Sequence, residues 1–270
     1  MRKSQKTAYY TILIVFAIIS LYPVVWSVFA SFHSDPNILK GEVIFTPYTL
    51  KNYSEILFDN PMFIRWVLNS VLIAVIGTTV TVTANTMVGY ALARIKFRFK
   101  AVVMFMVLLV MVMPMQALMI PNYVLVNKLG LLNTYFAFWL PTLVNAMYIF
   151  MMCQFFKNLP SEVEEAAYID GLGRWGILFR VAAPMAKPAV MTQTIFIFMS
   201  YWNIFQQSIL YMQDRSMFSL QHGLQTFQSA NTTSWGIVIS GSLISMIPIL
   251  LIYIFANKQF VTGMSFGGGK

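Results

Sequence analysis

Charge is what this 270-residue chain most lacks. Only 10 % of its residues are charged, and nine are acidic, whereas soluble domains carry about 25 % charged residues. Hydrophobic residues reach 58 %, above the about 45–50 % of an ordinary soluble domain. A soluble chain of this length could not cover its surface with so few polar side chains, so that class is excluded. Cysteine occurs once, at Cys153, which excludes an intrachain disulfide and a CxxC metal site. No G-x-x-x-x-G-K-[ST] loop occurs, so the chain has no phosphate cradle for ATP. The closing FGGGK, Phe266 to Lys270, has the wrong glycine spacing and reads as a cytoplasmic tail. No triad or metal cluster stands out, and His33 and His222 read as ordinary surface residues. The 19 methionines read as adaptable packing, not metal handling.

What charge there is leaves long gaps. Charge-free intervals run over 7–34, 66–93, 101–127, 129–156, 188–213 and 216–257. Each exceeds the roughly 20 apolar residues that cross a bilayer as helix. Lipid offers the backbone no hydrogen-bond partner, so such spans are expected to be helical. The expectation is an all-α membrane protein with six transmembrane helices, at about 8–31, 67–93, 101–120, 136–156, 188–211 and 236–256, forming a single domain. The first span follows Arg2, Lys3 and Lys6, but its apolar run is too long for a signal peptide and reads as a retained helix.

Lys and Arg set the orientation, because cytoplasmic loops retain them. With both termini cytoplasmic, thirteen of the 18 basic residues fall inside. Only Lys40, Lys51, Arg65, Lys128 and Arg215 remain outside. The net charge of +9 is thus accounted for by topology and anionic lipid, with no nucleic-acid partner required. The six spans hold no Asp, Glu, Lys or Arg. That argues against an ion-coupled secondary transporter, which usually places an ionisable group in the membrane. Backbone carbonyls can hold sodium, so this class stays open as the alternative.

Four of the nine acidic residues gather in SEVEEAAYIDGLGRW, Ser161 to Trp175, within the cytoplasmic loop 157–187. Ser161 and Glu164 have capping-box spacing. Glutamates in the first turn suit the helix dipole, and Gly171 is placed to stop the helix in a left-handed conformation. A second helix is expected from about Trp175 to Ala183, with Pro184 marking its end or a turn towards span five. Such a loop is either a solvated connector or a rigid element presented to a cytoplasmic partner.

Glu165-Ala166-Ala167, then Gly171, then nine residues and Val181-Ala182-Ala183-Pro184, resemble the EAA signature loop of permeases in binding-protein-dependent ABC importers. Val181 and Ala183 stand where that family usually carries isoleucine and leucine. YALAR (Tyr90 to Arg94), IPNYVLVNKLGLLNTYFAFWLP (Ile120 to Pro141) and the NKQFVTGMSFGGGK tail resemble the carbohydrate branch, especially its second, maltose-type permease. The resemblance implies a type I ABC importer permease fold in a bacterial or archaeal cell membrane. It implies a non-catalytic subunit paired with a second, non-identical permease, two cytoplasmic ATPase subunits and an extracytoplasmic solute-binding protein. This chain would bind no cofactor, ATP and Mg belonging to the ATPase subunits. Glu164, Glu165, Ala166, Ala167, Asp170, Gly171 and Pro184 are the implied ATPase-coupling residues. The implied solute is a sugar or oligosaccharide, with another polar solute such as glycerol-phosphate as the alternative.

A sugar path calls for amides, hydroxyls and aromatic faces. Span five offers Tyr201, Trp202, Asn203, Gln206, Gln207 and Ser208. On a continuous helix Asn203, Gln206 and Gln207 share one face, for use either in a hydrated path or in helix–helix bonding. Asn145 and Gln116 are further pathway candidates. Span two, GTTVTVTANTMVG (Gly77 to Gly89), has the small residues of a close helix crossing. The outer loop His33 to Arg65 is expected to form the extracytoplasmic rim.

Overall fold

The computed structural model describes residues 3–44, 46–228 and 233–265, so the tail Phe266–Lys270 lies outside the described residues. Within them the chain is helical, and the only β pairing is the isolated bridge Gln228–Thr233. Three helices are long and apolar enough to cross a membrane: Gln5–Ala30, Pro61–Arg94 and Trp235–Ile254. Three bent pairs raise the number of candidate spans among the described residues to as many as six.

Internal contacts divide the described residues into two units, 1–65 with 223–248, and 66–222 with 249–270. The first contains α1 (Lys3–Ala30), α2 (Asp35–Lys40) and α3 (Lys51–Ser54), which runs on into a π turn, Glu55–Asp59. Its small core joins Ala30, Ile38 and Val43, with Trp26 and Ile239 against them. Asn52 ties the loop after α1 together by donating from Nδ2 to the carbonyls of Ser31 and His33, each at 2.8 Å. His33 is not the surface residue expected. It is fully buried, its ring nitrogens facing the Phe29 and Thr46 carbonyls at 2.9 and 3.1 Å. The ring also packs on Tyr48, at 4.9 Å between centroids.

The second unit is organised on α4 (Pro61–Arg94), an unbroken helix of 34 residues. Lipid tails are as apolar as leucine, so helices in a membrane associate through small residues and hydrogen bonds. One row of α4 supplies both. Trp66 Nε1 donates to the Arg215 carbonyl at 2.8 Å, and Asn69 Nδ2 to Ser216 and Phe218 at 2.9 Å. Ser70 Oγ accepts the Leu220 amide at 2.8 Å. Further along, Gly77 and Gly89 bring neighbours onto the helix itself. A Cβ on Gly77 would stand 2.8 Å from the Tyr201 ring, and one on Gly89 2.6 Å from Met152 Cβ. The close-crossing reading of Gly77 to Gly89 thus has contacts to match.

The third, fourth and fifth expected spans are each broken. α5 (Lys100–Val112) stops before Pro114, and the chain resumes through a 3-10 turn, Met115–Leu118, into α6 (Met119–Lys128), a bend of 103°. Proline cannot donate its missing N–H and pushes the preceding residue out of the helical region. α7 (Phe136–Trp139) with the 3-10 turn Leu140–Thr142 meets α8 (Ala146–Lys157) at 50°. Asn145 restarts the helix there, its Oδ1 accepting the Met147 amide at 3.0 Å.

The loop 157–187 carries α9 (Ser161–Ile169), α10 (Arg174–Ile177) and α11 (Ala183–Met185), the last two joined by a π turn, Leu178–Ala182. Pro184 therefore lies in the last turn of this helical run, and the chain bends directly after it, the second of the two expectations for this proline. Lacking an N–H, it leaves the preceding turn without its usual donor, and the wider π turn precedes it. An 83° bend leads into α12 (Lys187–Trp202). Span five ends early at Trp202, and α13 (Gln206–Tyr211) is a separate helix. Asn203, Gln206 and Gln207 consequently do not share a face of one continuous helix. After them come α14 (Leu220–Gln225) and α15 (Trp235–Ser265).

Candidate functional site

The inner side of the acidic loop is packed. Beneath it Tyr90, Met152, Phe156, Ala167, Ile177, Leu178, Ala182, Ala186 and Ala189 form one buried cluster, with Tyr90 edge-on to Phe156. Gly171 has φ +83°. There its amide donates to the Tyr168 carbonyl and that of Leu172 to the Ala167 carbonyl, both at 3.0 Å. This is a Schellman ending, and Leu172 packs with Ala167 in the same cluster. Asp170 is the C-cap residue.

The other end of α9 corrects the sequence reading. Pro160 holds the N-cap position and no side chain caps the helix, so the Ser161–Glu164 capping box does not form. Glu164 is drawn away by a stronger partner. Its Oε1 lies 2.9 Å from Arg94 Nε in an ion pair, with both side chains less than a fifth exposed. Its Oε2 accepts the Tyr90 hydroxyl at 3.1 Å. Glu165 and Ala166 remain exposed. So do Tyr168 and Ile169 (71 % and 83 %), and Trp175 (67 %), stacked on the exposed Phe179. A cleft of about 920 Å³ opens beside these residues, bordered by Arg94, Lys96, Glu164, Glu165 and Arg174.

A second concavity forms where spans four and five break. It measures about 180 Å³ and is lined by Thr81, Met115, Thr142, Asn145, Tyr148, Ile197, Ser200, Tyr201, Ile204 and Gln207. Irregular backbone at membrane depth is tolerated only where protein covers it or it lines a cavity. Tyr201 is the hub. Thr142 Oγ1 donates to the Phe138 carbonyl at 2.7 Å, so its lone pairs are left to accept the Tyr201 hydroxyl, also at 2.7 Å. Thr81 Oγ1 then donates to Tyr201 at 2.9 Å. Asn85 Oδ1 accepts the Asn145 amide at 3.0 Å, fixing the break before α8. Asn145 and Gln207 also border an adjoining cavity of about 360 Å³.

Of the seven pathway candidates, the structure brings together Tyr201, Asn145 and Gln207. Trp202 is buried against Phe198, Asn203 donates to its own helix at Met199 O, and Gln206 and Gln116 are exposed outside both cavities. Thr81, Thr142, Tyr148 and Ser200 were not anticipated; a hydroxyl in an apolar run carries no local sign of the cavity it faces. His222 is not an ordinary surface residue either. It stacks on Phe218 at 3.6 Å between centroids and contacts Ser208 Oγ at 3.1 Å. Burial lowers its pKa from the usual imidazole value, which favours the neutral ring.

Tyr201→Phe is expected to leave the buried Thr81 hydroxyl without its acceptor. The loss should be about 1–3 kcal/mol, the cost of an orphaned buried donor. Thermal unfolding of the purified complex reads it, and an unchanged midpoint would remove Tyr201 from the hub.

Residues 85–260, about two thirds of the chain, match the family of binding-protein-dependent transport system inner membrane components. The chain belongs to this family. It is similar to the arabinooligosaccharide transport system permease protein of Halalkalibacterium halodurans, 30 % identical over 94 % of this chain and 92 % of that one. It is also similar to the trehalose/maltose transport system permease protein of Thermococcus litoralis, 31 % identical over 95 % and 94 %. A crystal structure of a bacterial ABC transporter involved in import of the polysaccharide alginate shares the fold. It aligns with a TM-score of 0.86 at 24 % identity, over 96 % of this chain and 99 % of that one. As an inner membrane component of such a system, the chain is a permease.

Proposed function

We propose that this permease is one of two non-identical membrane subunits of an ATP-driven importer for a sugar or oligosaccharide. An extracytoplasmic binding protein delivers the solute, and two cytoplasmic ATPase subunits, which hold ATP and Mg, drive the cycle. The chain crosses the cell membrane of a bacterium or archaeon six times as one permease domain, with both termini in the cytoplasm. It performs no chemistry itself.

The observation that carries this reading is the double character of α9. Its inner side is fixed by Ala167, Glu164 and the Gly171 ending, while Glu165, Tyr168 and Ile169 stay open. A helix set so firmly, yet exposing large apolar side chains outside the spans, fits a docking element for a soluble partner. Glu165, Ala166 and Asp170 form its open side; Pro184 shapes the run that joins it to span five. The uncharged lining around Tyr201, Asn145 and Gln207 suits neutral hydroxylated solutes, whose hydroxyls need matched donors and acceptors and no ion. The sugar permeases among its relatives point the same way.

The test is ATP-driven uptake by the complete transporter in proteoliposomes, supplied with labelled maltose, trehalose, lactose and an arabinooligosaccharide in turn. Uptake that needs ATP and survives collapse of ion gradients supports the importer reading; uptake that follows an ion gradient instead would favour the secondary transporter. Glu165→Lys, on the open side of α9, is expected to lower solute moved per ATP hydrolysed by about tenfold. A wild-type ratio would refute the docking role.

A further inference from the structure

The two adjacent glutamates of α9 face different ways, and the inner one is held entirely from α4. Arg94 is the last residue of α4. Its Nη2 donates to the Leu159 carbonyl at 2.6 Å, just before α9 begins, and its Nε pairs with Glu164 Oε1 at 2.9 Å. One turn back along α4, the Tyr90 hydroxyl takes the other carboxylate oxygen at 3.1 Å. Both oxygens of Glu164 and the carbonyl of Leu159 are thus tied to one helix end across 65–74 residues of sequence.

We infer that Tyr90, Arg94 and Glu164 form a strut that makes the end of α4 move with α9 as one body. The inference rests on the docking role proposed for α9 and adds where its motion goes. Glu165 meets the partner, whereas Glu164 passes displacement to the helix that supplies Thr81 to the Tyr201 hub. A largely buried charge pair suits this. Either group alone would be stranded away from water, so the two separate far less readily than an exposed pair. The surrounding cluster adds apolar contact from Tyr90 to Phe156 and Ala167, but such contacts can slide, whereas parting the ion pair and the Tyr90–Glu164 hydrogen bond leaves poorly hydrated charge behind. These are positioning residues; none touches solute or ATP.

The test uses the complete transporter in proteoliposomes, with labelled maltose or whichever sugar of the panel above the wild-type complex imports. Arg94→Gln and Glu164→Gln are each expected to reduce solute moved per ATP hydrolysed at least tenfold. The decisive variant is Arg94→Cys with Glu164→Cys, which should be equally impaired when reduced. Cys153, fully buried, stays in place. Bridging the two new thiols with a short bismethanethiosulfonate should restore the ratio to within twofold of wild type, because a covalent strut replaces the ionic one. Failure of the bridged form to recover, or a normal ratio in both glutamine variants, overturns the inference. A wild-type complex without ATP-dependent uptake of any sugar would instead overturn the importer reading itself, before any variant is compared.

Discussion

Gly171→Pro should abolish ATP-driven uptake while leaving the spans in the membrane. Gly171 sits at φ +83° and donates its amide to the Tyr168 carbonyl. Proline is locked near φ −65° and has no amide, so the substitution violates both requirements at a cost of roughly 3 kcal/mol or more. Beyond its immediate chain neighbours no atom lies within 4 Å of a Cβ at this position, so tertiary crowding plays no part. Alanine therefore isolates the backbone term, expected at about 1–2 kcal/mol for a left-handed residue. Uptake should fall in the order Gly171, Ala, Pro, with asparagine near glycine because it tolerates this conformation. Uptake and thermal unfolding, measured on the same preparations, give the comparison. Wild-type uptake by the proline variant would return the loop to the status of a solvated connector.

Gly89→Val should remove most folded permease from the membrane. The added Cβ would lie 2.6 Å from Met152 Cβ, and it would also meet backbone, at 3.1 Å from Cys153 N and 3.2 Å from Ile149 O. A flexible side chain can turn aside, but the backbone of α8 cannot without reopening the α4–α8 crossing. Overpacking of this kind costs about 1–3 kcal/mol, and the branched side chain adds crowding within its own helix. Gly173→Ala is the control, since its Cβ would enter open space and its φ of −70° is ordinary. Detergent-solubilised yield and unfolding midpoint should drop for the valine variant and hold for the control. Equal behaviour of the two would remove Gly89 from the helix contact.

The expectations that came closest were those set by local chemistry. Charge gaps marked apolar segments because a bilayer span tolerates few charges, and Gly171 announced a left-handed turn because few other residues accept one. The breaks were harder to read. Pro114 warns of the first, but Trp202 to Gln206 holds neither proline nor glycine, and an average of hydropathy passes over it unchanged. Treating those residues as one helix put Asn203 and Gln206 on a face with Gln207 that the folded chain does not possess. Glu164 shows the other limit. The sequence assigned it to a capping box with Ser161 three positions away, yet its carboxylate is held by Tyr90 and Arg94, some 70 residues earlier. Both lie in the YALAR segment, noticed as a resemblance, but nothing in either stretch names the other as its partner. Charge pairing over that distance is a property of packing.

α4 holds 34 unbroken residues, about 51 Å at 1.5 Å per residue. Hydrocarbon accounts for only about 30 Å of that. A rod so much longer than the slab it pierces magnifies small rotations: tipping it 10° about its midpoint carries each tip sideways by about 4 Å. A modest tug at Arg94 is thus carried to the far end of the helix, without any rearrangement inside the rod.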